Sequence, residues 1–306
     1  MERIPLGKSD VYISPLGLGT WAWGDTSVGG HGESYGDNDF KQSYDASLKS
    51  GINFIDTAEA YTAGESERML GRLVRETSTR KQVIIATKFS PHRWRFMRGQ
   101  LVVALRRSLK RLGLSYVDLY QIHWPTRNVP IETWMHAMAD AVEAGLIRAV
   151  GVSNFTVEEM KRAHAALATR GVPLASNQVP YSLLHRIPEK DGMIDLCREL
   201  GVTIIAHSPL YQGVLTGKYT REHHPPGSRG QKYNHEFLTK VQQLLGLMKE
   251  IGQAHAGKSH SQVALNWTMR KGTVPIPGAK NVKQAQENLG SLGWSLSDDE
   301  VSALDK

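Results

Sequence analysis

The stretch Leu109-Lys110-Arg111-Leu112-Gly113-Leu114-Ser115-Tyr116-Val117-Asp118-Leu119-Tyr120-Gln121-Ile122-His123 contains, in order, a helix end, a stop and a strand. Val102, Leu105, Leu109 and Leu112 recur at helical spacing while Arg106, Arg107, Lys110 and Arg111 fall elsewhere on the wheel, which predicts an amphipathic helix with a solvated basic face. Gly113 stands where a helix C-terminus favours a residue tolerant of positive φ. The apolar run at 117–120 reads as a strand, and His123 lies just beyond it. The pattern repeats: short apolar runs occur at 16–18, 52–55, 83–86, 117–120, 147–150, 174–176, 202–205 and 273–276, and Gly51, Gly145 and Gly201 precede three of the others. Strands alternating with helices imply parallel pairing with right-handed crossovers, and eight such units over about 250 residues predict a (β/α)8 TIM barrel rather than an open doubly wound sheet. No G-x-G-x-x-G follows a strand, which weighs against a dinucleotide-binding sheet of the doubly wound type.

Outward from these units, residues 3–13 read as a two-stranded hairpin turning at Lys8-Ser9-Asp10 and closing the bottom of the barrel. The longest interval separates the seventh and eighth strands and contains 221–230, rich in His, Pro and Gly, which reads as an inserted surface loop. The expected organisation is one barrel domain over residues 1–306. His223, His224 and His235 have no fixed element to set ligand geometry, so no metal site is expected.

Composition narrows the class. Hydrophobic residues make up 40% and charged residues 22% of the 306, which excludes a disordered or collagen-like chain. There is no run of about 18 apolar residues and no apolar leader after Met1, so neither membrane insertion nor export is expected. One cysteine, Cys197, fits a reducing cytoplasm and helix packing. The net charge of +7 arises from residues 72–111, where twelve Lys or Arg face a single acid, Glu76. Zinc-finger spacings and RNA-binding aromatic signatures are missing, so no nucleic-acid partner is expected, though the excess attracts phosphate-bearing ligands.

Chemistry in such a barrel sits at the C-terminal ends of the strands. There this sequence places Asp56, Lys88, His123, Ser153 with Asn154, Gln178, and His207 with Ser208. Each alone has a structural reading, as a helix cap or a satisfied core polar group. Together they ring one mouth with an acid, a cation, an imidazole, amides and hydroxyls. Tyr61, five residues past Asp56, adds a phenol whose pKa would fall beside an ammonium; Lys88 is the available one and Asp56 would hold it. His123 would orient a substrate carbonyl. These four groups point to carbonyl reduction by hydride transfer.

At these residues the sequence resembles the aldo-keto reductase family, over nearly its whole length. Leu16-Gly17-Leu18-Gly19-Thr20-Trp21 is similar to the family's first-strand signature, and Asp56-Thr57-Ala58-Glu59-Ala60-Tyr61 with Gly64-Glu65-Ser66-Glu67 to its second. Ala86-Thr87-Lys88-Phe89 and Gln121-Ile122-His123-Trp124 complete the likeness to its catalytic tetrad. The resemblance implies Tyr61 as acid/base, Lys88 and Asp56 as its tuners, and His123 as orienter. It also implies an extended nicotinamide cofactor, with Gly19, Thr20 and Trp21 beside it and Ser153, Asn154 and Gln178 on the carboxamide. The run Ser208-Pro209-Leu210-Tyr211-Gln212-Gly213-Val214-Leu215-Thr216-Gly217-Lys218 resembles the pyrophosphate loop. Ile276-Pro277-Gly278-Ala279-Lys280 with Gln284, Glu287 and Asn288 resembles the adenosine segment, where Lys280 is the residue for a 2′-phosphate.

Two departures stand out. His207 occupies the position where the family has an aromatic ring under the nicotinamide, and Gln284 stands where some members have an Arg. Lys280 still favours NADPH over NADH. The resemblance places Trp21 and Trp124 along the substrate pocket. Phe89 after the lysine, Trp23 and Trp94 are further candidates for its wall, and Arg93 or Arg95 for an anionic contact. The short segment after Trp294 leaves an open, permissive site. The expected activity is NADPH-dependent reduction of aldehydes or reactive ketones, small-molecule carbonyl compounds. Two readings stand against it: a cofactor-sensing regulatory or channel-associated subunit with little turnover, and a barrel aldolase or isomerase using Lys88 as a Schiff base.

Overall fold

The computed structural model describes residues 1–26, 30–126, 128–220, 222–225 and 228–306. Two short strands, β1 (Ile4–Pro5) and β2 (Tyr12–Ile13), pair antiparallel. Eight further strands, β3 (Leu18–Gly19), β4 (Phe54–Asp56), β5 (Ile84–Phe89), β6 (Val117–Ile122), β7 (Ile147–Ser153), β8 (Leu174–Pro180), β9 (Thr203–His207) and β10 (Val274–Pro275), form one parallel sheet in sequence order. The sheet closes on itself: Gly19 bridges Gly278, and the Gly17 and Gly19 amides donate to the carbonyls of Pro275 and Pro277. Each of the eight apolar runs read from sequence lies on or against one of these strands.

Helices fill the connections: α1 (Asp37–Lys49), α2 (Glu65–Glu76), α3 (Gly99–Leu112), α4 (Ile131–Glu143), α5 (Val157–Ala168), α6 (Ile187–Lys190), α7 (Met193–Leu200), α8 (Ser228–Lys232), α9 (His235–Ala254), α10 (His260–Arg270), α11 (Val282–Leu289) and α12 (Asp298–Leu304). Their starts follow local chemistry. Thr156, Ser259 and Ser297 each accept from the amide three residues on, while Glu159, Gln262 and Glu300 reach back to complete a capping box. Their ends follow the glycine reading, with Gly51, Gly113, Gly145 and Gly201 at φ of 91, 67, 66 and 69°.

The hairpin seals one end of the barrel. Leu6, Val11 and Ile13 pack with Phe54, Ala86, Leu119, Ala149, Ile205 and Val274 inside the strand cylinder, and the Gly7 amide donates to Thr203 Oγ1 at the start of β9. The polar layer therefore lies toward the opposite end. The interval between β9 and β10 differs from a simple inserted loop: it holds α8, α9 and α10, and 228–230 begin α8. Arg221, Pro226 and Gly227 of the quoted loop lie outside the described residues. The C-terminal segment lies on the outer layer, with Leu304 buried beside α9 and Asp305 accepting from Trp267 Nε1 at 3.0 Å. No helix among the described residues is long and apolar enough to cross a membrane.

Candidate functional site

Side chains alternate along a strand, so every second residue enters the barrel. On β5, Ala86 and Lys88 face inward while Ile85 and Phe89 join the packing between strands and helices. On β6, Leu119 and Gln121 face inward while Tyr120 and Ile122 face out. This alternation carries Lys88 fully inside, where its Nζ donates to Asp56 Oδ1, to the Thr57 carbonyl at 3.0 Å and to Tyr61 Oη at 3.0 Å. The other oxygen of Asp56 accepts from Gln178 Nε2 at 2.8 Å and Gln121 Nε2 at 3.2 Å. Tyr61 opens a tight turn, Tyr61–Gly64, in which Thr62, Ala63 and Gly64 all adopt left-handed φ before α2 begins. Two non-glycine residues in that region mark backbone strain held by the surroundings.

The electrostatics differ in one respect from the sequence expectation. Burial raises the Tyr61 pKa above its usual value, and Lys88, although it pulls the other way, does not reverse this. The phenol thus keeps its proton. Burial disfavours the Lys88 cation, but Asp56 and Tyr61 together outweigh that and hold its pKa above the ordinary lysine value. Lys88 is therefore an ammonium with three acceptors, which removes the free amine a Schiff-base reaction needs.

His123 follows β6 with its ring edge-on to Tyr61 at 5.7 Å and against Trp124 at 4.3 Å. Burial, then Lys88, His207 and His92, push its pKa down to about 2, so it is neutral at pH 7. Its Nδ1 is buried with no hydrogen-bond partner among the described residues. His92 lies 6.4 Å from Trp124 and stacks on Trp94 at 4.5 Å. A succession of rings thus runs from Trp94, 67% exposed, inward to Tyr61. Trp21 is also exposed, at 48%.

Other expected wall residues are placed elsewhere. Phe89 is fully buried against Trp134 with Arg95 over its face, because the residue after an inward-facing lysine faces outward. Trp23 is fully buried, packs on Phe40 and donates to the Ala279 carbonyl at 3.0 Å. Neither lines an open pocket. Arg95 is engaged by Glu59 and the Ser90 carbonyl, so it does not wait for an anionic substrate, while Arg93 is exposed.

Of the residues expected around a cofactor, Asn154, His207 and Ser208 are linked to His123 by hydrogen bonds. Ser153 Oγ donates to the Gln178 carbonyl at 2.9 Å. Asn154, at φ 59°, donates from Nδ2 to the His123 carbonyl at 3.0 Å, and its Oδ1 lies 3.1 Å from His207 Nε2. His207 Nδ1 lies 3.2 Å from Ser208 Oγ. Pro209 is buried, and the Leu210 carbonyl accepts from the amides of Gly213 and Leu215 as the chain turns through Tyr211–Thr216. Thr216 Oγ1 donates back to the Gly213 carbonyl, and Gly217 ends the turn at φ 75°. Past the last strand, Lys280 Nζ sits 4.5 Å over the Tyr35 ring and its amide donates to Gln284 Oε1. Four side chains are tied into the protein itself. Thr20 is buried with its Oγ1 on the Asp56 carbonyl and Ser66, Ile276 fills the barrel interior, Glu287 accepts from Ser259, and Asn288 donates to the Gly278 carbonyl.

Gln121 joins the site without having been singled out from sequence. Its signal was present: it alternates with Leu119 on one face of β6, and a polar residue at an inward strand position needs a partner. No group of three His, Cys, Asp or Glu suited to a metal occurs among the described residues. Cys197 is buried and its thiol is pushed up to about 12 by burial, as inert packing requires.

Burial, then Lys88 and His185, push the His207 pKa down to about 4. A free histidine titrates near 6.5, so below that the unfolded chain binds the extra proton first, and stability is lost as pH falls from about 6.5 toward 4. At most about 1.4 kcal/mol per pH unit is at stake. The thermal midpoint of the wild type is expected to fall across that window, and His207→Gln to fall less steeply. Equal slopes for the two proteins would show that His207 is not held neutral.

Comparison with known proteins agrees with this fold. The sequence profile described as "Aldo/keto reductase family" matches residues 15–306. The chain is 41% identical over 315 residues to the pyridoxal reductase, chloroplastic, of Arabidopsis thaliana, covering 99% of this chain and 85% of that protein. Its fold is similar to the glycerol dehydrogenase AKR11B4 from Gluconobacter oxydans, with a TM-score of 0.86, 29% identity and coverage of 99% and 94% of the two chains. It is also similar to an aldo/keto reductase from Klebsiella pneumoniae solved with NADP and acetate, with a TM-score of 0.77, 26% identity and coverage of 100% and 95%. With eight parallel strands closed into a barrel and a family match from residue 15 to the end, this chain belongs to the aldo/keto reductase family of oxidoreductases.

Proposed function

We propose that this protein reduces aldehydes with NADPH, and that aromatic aldehydes, pyridoxal first among them, are its preferred class. The observation that carries the reading is the ring succession Trp94, His92, Trp124, His123 ending on Tyr61, whose hydroxyl is held by Lys88. A flat aromatic substrate gains contact along that wall beyond plain area burial. The 41% identity to a pyridoxal reductase supports the choice of the first substrate to test.

The donors present fit a nicotinamide dinucleotide. Ser153, Asn154 and Gln178 carry the hydroxyl and amide groups a carboxamide needs. Gly213, at φ 95°, leaves room where a Cβ would lie 3.2 Å from Lys218 Cε, and the exposed Lys218 would meet a pyrophosphate. Lys280 would meet the 2′-phosphate, with His207 beneath the ring. When bound, the reduced nicotinamide supplies a hydride to the carbonyl carbon. Tyr61 Oη gives its proton to the carbonyl oxygen, Lys88 and Asp56 hold the phenol in place, and neutral His123 orients the oxygen by hydrogen bonding.

The test is NADPH oxidation by the full chain on pyridoxal and para-nitrobenzaldehyde, with glyceraldehyde as the aliphatic comparison and NADH in parallel. Turnover is expected on all three, with the higher kcat/KM on the aromatic pair. No turnover on any of them would overturn the reductase reading, and a preference for glyceraldehyde would overturn the aromatic one. Lys280→Ala is expected to raise KM for NADPH about tenfold or more while leaving KM for NADH within about twofold, since a charge-assisted phosphate contact is worth about 1.5–3 kcal/mol.

A further inference from the structure

Of the twelve cations between residues 72 and 111, Lys88 belongs to the site at the barrel mouth. Five of the others converge with Arg68 on the outer face of the molecule. Arg68, Arg72 and Arg75 recur along one face of α2, and Arg107, Lys110 and Arg111 along one face of α3, at the three- and four-residue spacings that place helical side chains together. The helices come to backbone contact between them, since a Cβ on Gly71 would lie 2.4 Å from the Leu112 carbonyl oxygen. Above that contact is an open cleft of about 480 Å³ lined by these six side chains and by no acid.

Acids outside the cleft hold three of the six. Glu65 takes Arg68 at 3.0 Å, Glu65 and Asp37 share Arg72 at 3.4 and 3.1 Å, and Glu67 takes Arg111 from the interior side. Arg75, Arg107 and Lys110 have no ion-pair partner among the described residues, and all three are exposed. Like charges lining one cleft repel.

We propose that the cleft between α2 and α3 binds a compact ligand bearing two or more neighbouring phosphate groups, at a site separate from the barrel mouth. Five of the six cations are guanidiniums, whose planar forks match phosphate oxygens in pairs. No aromatic side chain lines the cleft, so it offers no platform for stacked bases, which speaks against a single-stranded nucleic acid. Its concave shape suits a small polyanion that enters between the helices. The phosphates come either from a free polyphosphorylated metabolite or from a lipid headgroup.

Calorimetric titration of inorganic tripolyphosphate into the full chain, saturated with NADP+ at about 150 mM salt, tests this where exposed single charges are largely screened. One tripolyphosphate per chain is expected. Its affinity is expected to fall at least tenfold in a variant carrying Arg75→Ser, Arg107→Ser and Lys110→Ser, while the thermal midpoint does not fall and turnover stays at the wild-type value. Should that variant fail to fold, Lys110→Glu alone is expected to weaken binding at least threefold. Vesicles containing a polyphosphoinositide separate the two sources: displacement of tripolyphosphate by the vesicles assigns a headgroup, and no displacement assigns a soluble ligand. An undetectable heat at saturating NADP+, or equal affinity in wild type and variants, overturns the proposal. Because the comparison turns on α2 and α3 variants, its failure is independent of whether the mouth reduces aldehydes.

Discussion

Replacing Tyr61 by Phe is expected to lower kcat for aldehyde reduction by about 10²–10⁴ while leaving the affinity for NADPH within about twofold, the range found when a positioned general acid is removed. At the inner end of the aromatic wall two rings carry an exchangeable proton, the Tyr61 phenol and the His123 imidazole, while the Lys88 ammonium lies behind the phenol on Asp56 and the Thr57 carbonyl. His123 is held at a pKa of about 2, so it has no imidazolium proton to give at neutral pH. Tyr61 does: burial keeps the phenol protonated, and Lys88 at 3.0 Å stabilises the phenolate left after transfer. The Phe variant preserves the ring that meets His123 edge-on, and Lys88 keeps Asp56 and the Thr57 carbonyl, so the fold is expected to lose no more than about 1 kcal/mol. Single-turnover kinetics with bound NADPH, alongside fluorescence titration of the cofactor, separate chemistry from binding. A Phe variant that keeps a tenth or more of the wild-type rate would mean the proton comes from elsewhere. The same variant addresses the low-turnover regulatory reading, since a protein that does little chemistry has little rate for this substitution to remove.

The barrel was legible because its signals are periodic. Glycine-ended helices and short apolar runs recur, and a misreading of one run leaves the other seven in place. The ring of polar residues was legible for the same reason, as each stands at a strand end. What sequence order alone did not settle was direction. Phe89 follows Lys88 directly and was expected on the pocket wall, yet strand alternation turns it outward onto Trp134. Applied consistently, that alternation predicts both the loss of Phe89 from the wall and the presence of Gln121 on Asp56. Trp23 escaped for another reason. It lies in the loop after β3, where no period applies, and only the closure of the barrel brings the Ala279 carbonyl to its indole. The rise in the Tyr61 pKa likewise depends on burial, which a chain of residue names does not specify.

Lys88→Met is expected to abolish turnover and also to destabilise the fold by about 3–5 kcal/mol, the cost typical of leaving one member of a buried ion pair alone. Asp56 is 1% exposed and its Oδ1 faces only the ammonium; without Lys88 the carboxylate keeps the Gln121 and Gln178 amides but no counter-charge. Adding Asp56→Leu to Lys88→Met is expected to recover more than half of the lost stability and none of the activity, because both charges are then gone and only two amide donors lose an acceptor. The cycle therefore separates what the pair does for folding from what it does for the phenol. The pH dependence has a defined sign. A lysine whose pKa rises on folding contributes stability that is fully present below its unfolded value of 10.5 and is lost as pH climbs through the higher folded value. Urea unfolding of wild type and Lys88→Met is thus expected to differ by a constant amount from about pH 6 to 9, and the gap to narrow only in stronger base. If Lys88→Met unfolds at the wild-type midpoint, Asp56 has taken up a proton at little cost, and the buried pair is there for catalysis alone.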